Sequence, residues 1–386
     1  MSVKIDPYNH KKRYLEWKEK TKDGIKGISP ENSEIILRYL DNMEKGINVS
    51  ALSVKGGRSH TRLNSLRGRL VFFSQKFEEL YGLKRITEIT EEQLLSFFSD
   101  MRNGVIKRQD GCNFLTTDTT AKIFKAFWHW YQKVNRKQGI EIPDITVDLD
   151  TRVEKPKWVY LTEKEVVTLC NKAKPQYKVL IMFLFDTGMR APSELMNLKV
   201  SDFHNNFKEV SIREETSKTF GRRIKLMLCS ELIKDYILEK GFGLNDHPFT
   251  TTPCRVNEYL KRLAKKTFGD KVTLAGDKYS SLTMYDFRHC SCCYWLPRYK
   301  SESALKYRFG WKKSDKIHYY SELLGMKDTI SEEDMLVDFT KTEIEQKLIK
   351  SDKQNEILSD RVSSLEKEID QIKKVALRLI EISPIP

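Results

Sequence analysis

The sequence has little that would carry it into a membrane or hold it together covalently. No apolar run approaches the roughly 20 residues of a bilayer-spanning helix. The opening MSVKIDPYNHKKRYLEWKEK is polar and has no signal-peptide core. Together these lead to the expectation of a cytoplasmic chain, nucleoid-associated if it meets DNA. Cysteine is sparse, with seven in 386 residues, an odd number without a regular framework. Cys290, Cys292 and Cys293 cluster, but CSCC is too crowded for a zinc site, which needs two spaced pairs. They read as small core residues of a helix in a reducing compartment. Negative charge is also short: 54 Asp+Glu face 68 Lys+Arg, leaving a formal net charge of +14. An excess of that size points to a polyanionic partner, and nucleic acid is the usual one.

What is present is mostly helical pattern. Residues 1–29 read as a charged N-terminal basic arm with some helical content. Pro30-Glu31-Asn32 opens a helix with Ile35, Ile36, Leu37 and Leu40 on its apolar side. Gly56-Gly57 breaks the chain, and Ser59 or Thr61 can cap the helix that runs on to Tyr81. Thr90 starts another helix. Residues 117–137 form a long one, whose Phe124, Phe127, Trp128, Trp130 and Tyr131 read as core rather than a base-stacking platform. Residues 30–138 are thus expected to form an all-helical domain with basic faces. Residues 139–157, with two prolines and alternating charge, read as a linker.

Thr162 and Glu165 have capping-box spacing and open the next domain, expected over residues 158–340. Two alternating runs, 208–214 and 222–228, predict a hairpin whose connection carries Lys218 and Gly221. Helices are expected at 230–240, 254–267, 284–298, 301–309 and 316–324. The fold class is therefore mainly α with a small antiparallel β-sheet. Residues 341–386 form a separate tail. In it Ile344, Leu348, Ser351, Asn355, Leu358, Val362, Leu365, Ile369, Ile372, Ala376 and Leu379 alternate spacings of three and four. That pattern predicts a coiled-coil helix, with Asn355 as a possible register device.

The chemistry gathers around residues 183–198, FLFDTGMRAPSELMNL. Gly188 permits a bend, Arg190 follows it, and a second helical segment is expected from Pro192. Either Glu194 or Ser193 is placed to steady the arginine. Further on, LTMYDFRH places Arg288 in a first helical turn, and RFGWKKSDKIHYY presents Trp311 and a tyrosine pair. Two arginines, a lysine and a tyrosine are the groups that cleave a phosphodiester without a metal. The arginines neutralise charge on nonbridging oxygens. The lysine protonates a leaving oxygen. The tyrosine attacks phosphorus and conserves the bond energy as an ester.

The order TGMR, SKTFGR, YDFRH, FGW and a late Tyr resembles the tyrosine recombinases (phage-type integrases), particularly archaeal members, over about residues 30–340. The resemblance implies a two-domain clamp on double-stranded DNA. In it a helical core-binding domain precedes a mixed α/β catalytic domain. It implies catalytic roles for Arg190, Lys218, Tyr285, Arg288, Trp311 and Tyr320, with Tyr320 rather than Tyr319 as nucleophile. Glu194 matches the acidic support of the first arginine. Tyr285 stands where the family usually has His, and a phenol, with reference pKa about 10, is a poor base but can still bond a phosphate oxygen. His289 and His318 are alternative proton carriers. The implied activity is site-specific recombination or integration through a 3′-phosphotyrosine, with no cofactor, metal or nucleotide, by a homo-oligomer, a tetramer on DNA. Two other readings share these residues: a type IB topoisomerase-like enzyme, and a DNA-binding protein with a decayed active site.

Overall fold

Side-chain caps mark where several helices of this computed structural model begin. It describes residues 4–47, 56–108, 110–153, 157–250, 252–299 and 301–324, and within the tail 351–352, 355, 358–359, 361–366, 368–370 and 372–373. Ser29 accepts from Asn32 N–H to start helix α2 (Pro30–Glu44), and Ser59 from Arg62 N–H to start α3 (His60–Tyr81). Thr90 with Gln93 forms a full capping box at α4 (Glu91–Arg102). Helix α5 (Thr117–Arg136) completes the helical region, and α1 (His10–Lys20) precedes it.

The expected arm folds from His10 onward into that region. Tyr14 is 1% exposed and shares one core with Ile36, Phe73, Phe77, Phe97, Phe124, Phe127 and Trp130. The aromatic stripe of α5 is therefore core. Residues 142–150 also return to it: Leu149 is buried, and Trp128 Nε1 donates to the Pro143 carbonyl at 2.9 Å. Their apolar positions, too few for a helical period, find cover on α5.

Thr162 and Glu165 make the second capping box, at α6 (Glu163–Lys172), followed by α7 (Pro175–Thr187). Strands β1 (Phe203–His204), β2 (Glu209–Ile212) and β3 (Arg222–Lys225) form an antiparallel sheet in that order. Val210 pairs Ile224 and Ile212 pairs Arg222. Then come α8 (Ser230–Lys240), α9 (Pro253–Phe268), α10 (Met284–Trp295), α11 (Glu302–Phe309) and α12 (Asp315–Leu323). Helix α7 is the central post, packed by α10, α6 and α8, while α11 lies against β3. Cys290, Cys292 and Cys293 are buried free thiols of α10.

Two further sequence expectations are corrected. After Arg190 there is a turn and then only a short 3-10 helix, Leu195–Asn197, because this segment must fold the Glu194 carboxylate back onto Arg190. The helix expected over 284–298 ends at Trp295, with Leu296–Arg298 in 3-10 form around Pro297. The N-terminal segment reaches the same turn. Asn197 accepts from Ile5 N–H at 2.8 Å and donates to the Ile5 carbonyl at 2.9 Å, like a one-residue strand.

Residues 1–323 form one unit and 324–386 another. The described tail residues between 351 and 373 are helical, and the rest of the expected coil lies outside the described residues. No described helix is long and apolar enough to cross a membrane.

Candidate functional site

Two glycines shape the floor of the site. Helix α7 ends at Gly188 with φ +58°, and a Cβ there would sit 2.2 Å from a ring carbon of Phe309. Helix α11 ends at Gly310 with φ +61°, where a Cβ would crowd the Arg222 guanidinium at 2.9 Å. Both bends and both close approaches require glycine. They expose carbonyls that the helix ends leave unpaired, and the arginines take them. Arg288, 4% exposed, donates to Gly188 O at 2.5 Å and to Phe309 O at 2.6 Å. Arg190 donates to Gly310 O at 2.8 Å. Consecutive carbonyls at the end of α11 thus set the two guanidiniums side by side.

One carboxylate serves this cluster. Glu194 is 1% exposed and accepts from Arg190 through both backbone N–H (2.8 Å) and Nη1 (2.9 Å). It also accepts a two-toothed pair from Arg222, at 3.1 and 2.8 Å. Burial alone would raise its pKa, but the Arg222 hydrogen bonds and charge, then Arg190, hold it down at about 2. The choice between Glu194 and Ser193 is thereby resolved: Glu194 steadies the arginine, while the Ser193 carbonyl binds Asn197. Arg190, Arg222 and Arg288 against Glu194 leave two positive charges uncompensated among these four side chains. Burial, then the neighbouring Arg190 charge, lower the Arg288 pKa. The arrangement is built to receive an anion.

Arg222 was not singled out from the sequence. Its signal was the alternation Arg222, Ile224, Leu226, which puts an arginine on the buried face of β3. The β2–β3 connection closes over the site from the other side. Ser217 donates to Glu194 at 3.3 Å, and Thr219 donates to Gly310 O at 2.9 Å. Lys218 between them is exposed.

The tyrosines lie beyond an aromatic wall. Trp311 stacks on Phe309 (4.9 Å, 21°) and on Tyr320 (6.0 Å, 12°). Its ring also lies 5.9 Å from the Arg288 guanidinium carbon, so one indole separates arginine from tyrosine. Tyr320 is 3% exposed and its hydroxyl meets His289 Nδ1. Burial raises its pKa well above the usual phenol value, so the phenol stays protonated. His289 stacks on Trp158 (4.8 Å, 30°) and meets Tyr285 edge-on (5.1 Å, 76°). Trp158 Nε1 donates to the Tyr319 hydroxyl at 2.7 Å. Tyr285 is 49% exposed on the first turn of α10, and His318 is exposed. Arg190, Arg288, Trp311 and Tyr320 thus converge, Tyr285 joins them through His289, and Lys218 sits on the covering turn. Trp158 had drawn no notice in the sequence, since no spacing marks its partnership with α12. Among the described residues no group of three or more His, Cys, Asp or Glu could hold a metal ion.

Fold and site define a mainly α-helical protein with a cluster of guanidiniums beside a sheltered tyrosine. Residues 159–325 match the model of the phage integrase family. The fold is that of tyrosine recombinases of known structure. The Tn1549 transposon integrase in complex with circular intermediate DNA aligns with TM-score 0.53 at 15% identity, covering 76% of this chain and 95% of that one. A lambda integrase tetramer bound to a Holliday junction aligns with TM-score 0.52 at 14% identity, covering 74% and 80%. A lambda integrase dimer bound to a core site gives TM-score 0.52 at 15% identity, covering 81% and 79%. No curated protein sequence matches.

Proposed function

We propose that the chain is a site-specific DNA recombinase or integrase that breaks and rejoins double-stranded DNA through a 3′-phosphotyrosine. The observation that carries this reading is the pair of arginines on consecutive carbonyls, two charges short of neutrality, one indole away from Tyr320. The scissile phosphate lies against Arg190 and Arg288, which bind the nonbridging oxygens and stabilise their growing charge. Trp311 walls the phosphate, and Tyr285 donates its phenol hydrogen to it. Tyr320 Oη forms the bond to phosphorus while the bond to the 5′-oxygen breaks. The phenol proton passes to His289, which meets that hydroxyl in the sheltered state and takes its proton as Tyr320 moves out to the phosphate. Lys218 delivers a proton to the departing 5′-oxygen. The 5′-hydroxyl of a partner duplex reverses the step, so the ester conserves the energy and no nucleotide is consumed. A homo-oligomer, a tetramer on DNA, brings the duplexes together.

Tyr320 must first leave its shelter, because its hydroxyl is engaged by His289 and the Trp311 ring lies between it and Arg288. The test is a nicked suicide duplex carrying the cognate site, incubated in EDTA and read by denaturing gel. Wild type is expected to become covalently attached, and Tyr320→Phe to bind without attaching. An adduct that persists in Tyr320→Phe would assign the nucleophile elsewhere. No adduct from wild type on any cognate site would sink the enzyme reading.

A further inference from the structure

The described tail residues carry an apolar stripe that their own unit leaves in solvent. Leu358, Val362, Leu365, Ile369 and Ile372 are 61, 53, 41, 51 and 67% exposed. Asn355 continues the stripe one step toward the N-terminus and is exposed as well. The steps from 355 to 372 alternate three and four, the repeat of a helix pressed along its length against another helix. Assigned to a heptad, Asn355, Val362 and Ile369 take position a, and Leu358, Leu365 and Ile372 take position d.

We propose that this stripe is the seam of a parallel two-stranded coiled coil with a second copy of the same chain. Three features select that occupant. Two of the three a positions are β-branched and two of the three d positions are Leu, the combination that fits a parallel dimer. In a parallel pair, a meets a, so the Asn355 side chains of the two copies face each other and satisfy their amides mutually. In an antiparallel pair, a meets d, and Asn355 would face an apolar residue with its amide unpaired. The third feature is charge. A parallel coil sets each g residue beside the e residue five positions on in the other copy. Arg361 at g then meets Glu366 at e, and Glu368 at g meets Lys373 at e; both pairs are of opposite sign. From Asn355 to Ile372 the seam is about 26 Å long at 1.5 Å per residue. This inference goes beyond the recombinase reading and does not rest on it: it fixes partner, strand number and direction.

The test uses the full chain without DNA, by sedimentation equilibrium from 1 to about 100 μM. Wild type is expected to follow a monomer–dimer equilibrium. Arg361→Glu places Glu against Glu twice per dimer and is expected to weaken association roughly five- to tenfold. The swap Arg361→Glu/Glu366→Arg restores opposite signs only in the parallel register, and is expected to return association to within about threefold of wild type. These positions are exposed, so circular dichroism is expected to be unchanged. A wild type that stays monomeric throughout, an indifferent Arg361→Glu, or a swap that fails to rescue would each overturn the proposal. Because no DNA is present, none of these results bears on Tyr320 chemistry.

Discussion

Glu194 is the residue on which the anion site depends most. It answers Arg190 and Arg222 together, from a position with no solvent to take its place. Replacing it by Gln keeps the shape and removes the charge, leaving buried guanidiniums without a counter-ion. Breaking a buried pair from one side costs about 3–5 kcal/mol. We predict a loss of this order for Glu194→Gln in urea unfolding at pH 7, followed by tryptophan fluorescence. The pH dependence has a definite sign. The folded pKa of about 2 lies below the ordinary value of 4.5, so the contribution is fully present above pH 4.5. It fades as pH falls toward 2, and it is on the order of 3 kcal/mol by the usual conversion of pKa shift to free energy. Glu194→Gln is expected to lose that part of the acid dependence. A variant as stable as wild type at pH 7 would remove Glu194 from the role given to it.

At the scale of elements, α12 stands out, because it is held by side chains rather than by a broad apolar face. Trp158, from the segment before α6, holds both of its tyrosines. It donates to the Tyr319 hydroxyl and meets the Tyr320 ring edge-on at 6.2 Å. His289 and Trp311 close two further sides. Removing the indole should therefore free α12 while α10 stays packed on α7. We predict that Trp158→Ala raises amide hydrogen exchange over 315–323 by roughly ten- to a hundredfold, a local loss of about 1–3 kcal/mol. Exchange in α10 should change little. Equal protection of α12 in both proteins would mean that the helix is held by something else. What was legible in the sequence divides along the same line. Ser59, Thr90 and Thr162 announced their helices because a cap acts over three residues. The hairpin and the arginine-bearing turns were legible through alternation and glycine. Trp158 with α12, and Arg222 with Glu194, join residues 161 and 28 positions apart in the hydrogen bonds they make, and no local period encodes such pairs. The two-residue strand β1 was missed because so short a run has no alternation to read.

For the whole molecule the governing quantity is the charge of +14 and where it gathers. Between α1, α3 and the 107–114 loop runs a groove of about 1300 Å³, lined by Lys20, Lys26, Arg67, Arg69, Lys76, Lys107 and Arg108, with Glu79 and Asp110 in opposition. Aromatic faces support it: Arg67 lies 4.7 Å over Trp17, and Arg69 5.7 Å over Phe114. Burial, then the neighbouring Arg13, lower the Arg67 pKa; burial, then Arg108, lower that of Arg69. Cations crowded in this way gain by meeting an anion, since each phosphate relieves repulsion between them. On the proposed reading that anion is the DNA backbone. Binding should then weaken steeply with salt, because every neutralised phosphate releases condensed counterions. Arg67→Ala/Arg69→Ala/Arg108→Ala is expected to make the log Kd against log salt slope shallower by about 2–3. The loss should be similar on cognate and unrelated duplexes, since phosphate contacts carry no sequence. Fluorescence anisotropy between 50 and 300 mM salt measures both. An unchanged slope would place the duplex away from this groove, and a loss confined to the cognate site would make these arginines readers of bases.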